Sequence, residues 1–159
     1  MSIRIGIGFD THAFVAGRKL MLGGIHVPCK RGLAGHSDAD VLIHALCDAL
    51  LGAAALGDIG SHFPDTDESY RNMAGKELLE KVVFLIKAAS YRVGNADVVV
   101  IAQEPKISSH IPAMKNALSA VLGISIGQIS VKATTTEYLG FTGRKEGISA
   151  VAVVLLEPL

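Results

Sequence analysis

The chain has 159 residues, the size of one ordinary domain, and half of them are apolar while only 19% are charged, against about 25% in a typical soluble protein. Fifteen Lys and Arg balance fifteen Asp and Glu, so the sequence builds neither the basic field that nucleic-acid binding needs nor a basic cluster for an anionic membrane surface. So little charge leans toward an oligomer that hides part of its surface, the other reading being a compact monomer with a Ser/Thr/Gly-rich skin.

The opening MSIRIGIGFD lacks the charged, apolar, then small layout of a signal segment. Within it, residues 3–9 (IRIGIGF) alternate and predict a strand. MLGGIHV at 21–27 places Gly-Gly between two short apolar runs, a hairpin signal. CKRGLAGHS reads as a glycine-rich loop, after which Asp38 or Ser37 caps a helix running to about Leu56. The apolar stretch Val41 to Leu56 is interrupted by His44 and Asp48 and falls short of the ~20 residues that span a bilayer. GDIGSHFPDTDESYRN reads as a mobile loop, and a second helix follows from about Ala74 to Ala89.

ADVVVIAQ at 96–103 predicts a strand buried on both faces. Pro112 opens a third helix that Gly123 closes. Strands at 129–136 and 148–156 finish the chain, separated by EYLGFTGRKEG. The expected fold is a single α/β domain over residues 1–159, a mainly four-stranded β-sheet covered by helices, plus a small hairpin. Cys29 and Cys47 make no CxxC pair and read as reduced thiols, and cytoplasm is the expected location.

Three constellations carry chemistry. Asp10 and His12 lie two apart in extended chain, so both side chains point the same way and can converge on one ion; a surface Asp and His is the plain alternative. In the apolar first helix, His44 and Asp48 stand at i and i+4. Buried polar groups need partners, so either they satisfy each other or His44 joins Asp10 and His12 around a metal, with Asp48 nearby. Two His and one carboxylate with an open fourth position suit catalytic zinc, with Fe, Mn or Co also compatible. His36 and Ser37 precede the helix N-terminus, where an anion is favoured, and His36 reads as a phosphate contact. His26, His62 and His110 read as surface residues.

The second constellation is Lys132-Ala133-Thr134-Thr135-Thr136-Glu137. Either its threonines are plain strand formers, or their hydroxyls and N–H groups cradle phosphate while Glu137 ligates a hard cation. The third, GDIGSHFPDTD, is either a solvated loop or a lid offering Asp58, Asp65 and Asp67 to substrate hydroxyls.

In one order, GFDTH, HSDADVLIHALCDALLGAAALGDIG, FPDTD, AQEPK and KATTTEYLGFTGR run from Gly8 almost to Gly147. Together they resemble the 2-C-methyl-D-erythritol 2,4-cyclodiphosphate synthase family of the non-mevalonate isoprenoid pathway. The resemblance implies a phosphorus–oxygen lyase, active as a homotrimer with sites between subunits. Its members convert 4-diphosphocytidyl-2-C-methyl-D-erythritol 2-phosphate into the cyclic diphosphate and CMP, by attack of the 2-phosphate on the β-phosphorus. It implies zinc, or another divalent transition metal, on Asp10, His12 and His44, with Asp10 and His12 also facing substrate. Glu137 would ligate a second cation, Mg²⁺ or Mn²⁺, through the substrate diphosphate, and His36 and Thr135 would stabilise the transition state. Ser37, Asp58, Gly60, Phe63, Pro64, Asp65, Thr66 and Asp67 would meet the erythritol and its phosphates, with Thr134 and Thr136 beside them. Ala102 to Ser108, including Lys106, would form the cytidine pocket. Phe141 and Arg144 match the segment that, in some members, holds an isoprenoid diphosphate on the threefold axis. A metal-dependent phosphatase or phosphodiesterase, and a metal-stapled trimeric scaffold, are the other readings of the same residues.

Overall fold

Alternation at the start of the chain carries well past residue 9. In the computed structural model, which describes residues 2–159, the first strand β1 spans Arg4–Ala16. Its even-numbered positions Gly6, Gly8, Asp10 and His12 face the helices, whereas Ile5, Ile7 and Phe9 point away. The other sheet strands are β4 (Arg31–Leu33), β5 (Tyr91–Ile101), β6 (Ile129–Thr134) and β7 (Gly147–Pro158), in the order β4-β1-β7-β5-β6. Neighbours are antiparallel except β5 and β6, whose parallel pairing requires the crossover helix α4 (Ile111–Leu122). Five strands replace the expected four. The extra one, β4, lies in the segment read as loop; three residues centred on a glycine show no periodicity, and only pairing with Phe14–Ala16 makes them a strand.

The hairpin β2 (Leu20–Leu22) and β3 (Ile25–Val27) turns on Gly23 and Gly24, both left-handed at φ +60° and +79°. A two-residue turn of that hand matches the strand twist and needs glycine. The first helix α1 spans Val41–Ala53 and ends three residues before Leu56. Its cap is Asp40, not Asp38 or Ser37. The Asp40 carboxylate is fully buried and accepts the N–H groups of Gly23, Gly24 and Ile43, tying the hairpin turn to the helix. Asp38 instead accepts from Gly75 at the start of α3 (Gly75–Ala88) and from Asp40.

The stretch read as a mobile loop contains two short turns, held by its own Asp58 and Asp67 and by Asp48 of α1. Asp48 accepts from Ile59, Asp58 from Ser61 and Asp67 from Ser69, which build a one-turn helix α2 (Ile59–His62) and a 3₁₀ turn at Glu68–Tyr70. A second short helix, α5 (Gly140–Gly143), sits in the loop before β7.

Helix α1 packs on β1 and β7 with α3 on its far side, so it is buried all round, as its apolar sequence requires. The opposite sheet face is open within one chain. Ile5 and Ile7 are 71% and 70% exposed there, beside Ile3, Phe9 and Val153. β5 is therefore covered on one face rather than two: Val98 and Val100 are buried against the helices, while Val99 and Ile101 are half-buried on the open side. Cys29 and Cys47 are both free thiols, the latter fully buried. Among the described residues no helix is long and apolar enough to cross a membrane.

Candidate active site and metal centre

Two glycines bring α1 down onto β1. A Cβ on Gly6 or Gly8 would lie 1.9 Å from the carbonyl oxygen of Ala49 or Ala45. The next inward positions of β1 are Asp10 and His12, and they meet His44 from the first turns of α1. Asp10 Oδ2 is 2.9 Å from His12 Nε2 and 3.1 Å from His44 Nδ1, and those two nitrogens are 3.0 Å apart. A tetrahedral zinc with bonds of ~2.0 Å spaces its ligand atoms ~3.3 Å apart. The triangle thus accepts such an ion if each atom withdraws by a few tenths of an ångström.

The outer partners also fit a metal. His12 donates its Nδ1–H to the Ala34 carbonyl at 2.6 Å, turning Nε2 to the centre. His44 places Nε2 3.1 Å from Ser37 Oγ, turning Nδ1 inward. Each ligand imidazole therefore has its second nitrogen fixed by the protein, as in well-built metal sites. Burial by itself would raise the Asp10 carboxyl, but hydrogen bonds from His12 and His44 outweigh it and hold the group well below the usual carboxylate range. Burial would lower His12, yet its bond to Asp10 and the carboxylate charge raise it above 6.5. This is the one cluster of three such ligand groups among the described residues.

The triad forms the floor of a cavity of about 630 Å³, walled by His36, Ser37, Gly60, Phe63 to Asp65, and Asp67. His36 is exposed on its rim, and Arg18 holds that loop by donating to the carbonyls of Gly35 (2.6 Å) and Ser37. No reading of the sequence singled out Arg18, because a lone arginine in a turn carries no pattern. Asp40 accepts the Ile43 N–H, the third of α1, so the cap occupies part of the helix end that His36 and Ser37 precede. Asp48 does not pair with His44; it accepts from Ile59 at 2.8 Å and so anchors α2 beside the cavity. Burial raises its carboxyl, with Asp58 and Asp10 adding to the effect.

The remaining expected residues gather elsewhere. The Ala102 N–H reaches the Thr134 carbonyl at 2.9 Å, so the loop after β5 runs beside Thr134, Thr135, Thr136 and Glu137. Thr135 donates to Glu137 Oε1 at 3.0 Å. Neither this group nor Lys106, Phe141 or Arg144 lines the cavity over the triad. Arg144 pairs with Glu146 at 2.8 Å. Of the three histidines read as surface residues, His62 is half-buried, with Nε2 donating to the Leu56 carbonyl.

A family model described as the YgbB family matches residues 3–157. The 2-C-methyl-D-erythritol 2,4-cyclodiphosphate synthase of Bacteroides thetaiotaomicron is 59% identical over 157 residues, covering 99% of each chain. The chain belongs to this synthase family. Among solved structures, the bifunctional IspDF from Campylobacter jejuni superposes with a TM-score of 0.96 at 43% identity, over 99% of this chain and 43% of that one. The Plasmodium falciparum IspF in complex with CDP gives a TM-score of 0.86 at 38% identity, over 99% and 97% of the two chains. The family is one of cyclising lyases of the non-mevalonate isoprenoid route, as the motifs implied.

Proposed function

We propose that this chain converts 4-diphosphocytidyl-2-C-methyl-D-erythritol 2-phosphate into 2-C-methyl-D-erythritol 2,4-cyclodiphosphate and CMP. The observation that carries the reading is the convergence of Asp10, His12 and His44 on the floor of a cavity, in a chain 59% identical to a named synthase. These three residues would hold zinc, and Glu137 would ligate Mg²⁺ or Mn²⁺ through the substrate diphosphate. The bound cations supply charge neutralisation at the phosphate oxygens.

The chain's own residues supply position. His36 on the rim donates to a phosphate oxygen, and Thr135 does so from the β6 end once its hydroxyl turns away from Glu137 Oε1. Asp58 uses Oδ1 on Ser61 N and Oγ, which leaves its second oxygen for an erythritol hydroxyl. Ser37, Gly60, Phe63, Pro64, Asp65 and Asp67 wall the cavity, while Asp58 and Thr66 stand beside them in the chain, outside its lining. The attack is intramolecular, since one substrate carries both groups, and holding the 2-phosphate in line with the β-phosphorus keeps the flexible substrate in its reactive conformer. An oxygen of the 2-phosphate bonds to the β-phosphorus as the bond to the bridging oxygen breaks. The bridging oxygen keeps the electron pair and departs on CMP.

The nucleotide would rest against Ala102 to Ser108, with Lys106 beside the phosphates. Because this loop and Thr134–Glu137 lie outside the cavity of the same chain, a neighbouring copy is the source that completes the site. The exposed apolar stripe of Ile3, Ile5, Ile7 and Phe9 supports such an assembly, for it is the surface an oligomer buries. A homotrimer about that sheet face brings three copies of Phe141 and Arg144 together, where an isoprenoid diphosphate would have to displace Glu146 from each guanidinium.

Incubation with the cytidyl substrate and Mg²⁺, followed by phosphorus NMR, tests the reading. CMP and a cyclic diphosphate in equal amounts are expected; free phosphate with no cyclic product would assign a phosphatase instead.

A further inference from the structure

The strand β6 ends in a turn that its sequence does not favour. Glu137 and Tyr138 are consecutive left-handed residues at φ +52° and +63°, and the Leu139 N–H closes the turn on the Thr136 carbonyl at 3.0 Å. A turn of this hand ordinarily takes Asn-Gly, because a side chain with a Cβ is crowded there. Glutamate followed by tyrosine is held in it at a cost, and non-glycine residues stay left-handed only where their surroundings compel them.

Three contacts supply that compulsion. Thr136 Oγ lies 2.6 Å from the Leu139 carbonyl and 2.9 Å from the buried Thr142 hydroxyl. Gly143 lies flat against the backbone of Tyr138, where an added Cβ would fall 2.2 Å from the Tyr138 carbonyl carbon. The third comes from another element: Gln103, in the loop after β5, accepts the Tyr138 N–H on Oε1 at 3.0 Å. That N–H points away from the turn and has this side chain as its partner.

We infer that Gln103 is a positioning residue: it locks the left-handed turn that aims the Glu137 carboxylate and the Thr135 hydroxyl. Both groups move with the turn, since Thr135 Oγ donates to Glu137 Oε1 and accepts from the Glu137 N–H at 3.3 Å. Gln103 also lies next to Ala102, whose N–H is bonded to Thr134, so one short loop grips the end of β6 at two points. The inference rests on the proposed cyclisation, in which this loop receives the nucleotide and Glu137 the second cation. It adds that filling the nucleotide pocket and aligning the cation ligand are one event, transmitted through a single amide.

Steady-state kinetics on Gln103→Ala and Gln103→Glu, with Mg²⁺ as the varied component, test it. Gln103→Ala is expected to raise the Mg²⁺ concentration for half-maximal turnover about five- to tenfold, with zinc content unchanged. Gln103→Glu keeps the acceptor oxygen and is expected to restore the Mg²⁺ response. Adding Tyr138→Asn to Gln103→Ala should recover much of it as well, because asparagine tolerates the left-handed backbone without a clamp. A Gln103→Ala protein with the wild-type Mg²⁺ response overturns the inference. So does a weakened response that neither Gln103→Glu nor Tyr138→Asn relieves, since that is a general folding defect. Failure of the wild-type protein to release CMP would instead remove the cyclisation itself, and amide exchange at Tyr138 then decides the clamp alone: faster in Gln103→Ala if it exists, unchanged if it does not.

Discussion

Gly8 and Ala45 touch backbone to backbone: a Cβ on the glycine would stand 1.9 Å from the alanine carbonyl oxygen. That contact sets the depth of α1 on the sheet, and with it the distance from His44 to Asp10. Gly8→Ala should therefore destabilise the protein by about 3 kcal/mol, the upper range for overpacking. It should also lose metal although no ligand is altered. Urea unfolding with metal analysis on the folded fraction checks both; full zinc occupancy in this variant would separate the helix depth from the metal site.

His44→Ala should abolish metal binding and turnover yet leave the fold, because α1 is held by Leu42, Leu46, Leu50 and Leu51, all fully buried. Zinc content measured on the purified variant decides this, and undiminished zinc would remove His44 from the ligand set.

Asp40→Ala should cost about 2–4 kcal/mol, since it orphans the N–H groups of Gly23, Gly24 and Ile43 in a buried place. Asp40→Asn keeps one acceptor and should lose less. Thermal unfolding of the pair gives the ordering, and equal losses would mean that the one acceptor oxygen kept by asparagine contributes nothing.

Protons and metal compete for the triad, with opposite effects on the empty and loaded protein. His12 is raised above 6.5 in the folded, metal-free state. Its contact with Asp10 thus stabilises that state fully below 6.5 and ceases to do so as pH rises through the raised value. Asp10 is depressed below 3.8, so its contribution is present above 3.8 and is lost as pH falls through the depressed value. Metal needs the deprotonated ring, so zinc affinity should fall at least about tenfold per unit as pH drops below the His12 value. Chelation should accordingly lower the unfolding temperature more at about pH 8 than at about pH 6. Titration calorimetry giving one affinity across that range would contradict the assignment.

Much of this was legible in the residues. The even spacing of Asp10 and His12 and the isolated His44 in an apolar helix offer the triad as one of two readings, the family resemblance implies it, and the fold brings the three side chains together. Asp48 was ambiguous, because helical spacing from His44 is compatible with pairing; only the position of Ile59 shows the carboxylate turned to a backbone N–H. β4 was invisible for want of length, and Asp40 because Asp38 is an equally good cap until tertiary contacts choose between them. Gln103 falls within the AQEPK motif and the pocket it implies, but its bond to a turn 35 residues away in sequence has no local pattern. What the sequence could not place was the distance between the two halves of the site.

The claim that a site is assembled from two copies is tested most directly by complementation. His44→Ala breaks the metal half, and Glu137→Gln should keep zinc while breaking the other. Each alone should be inactive. Co-expressed in equal amounts, they should regain about a quarter of wild-type CMP release, because one site in four joins an intact His44 to an intact Glu137 of its neighbour. No gain over the separately prepared variants would contradict an active site shared between subunits.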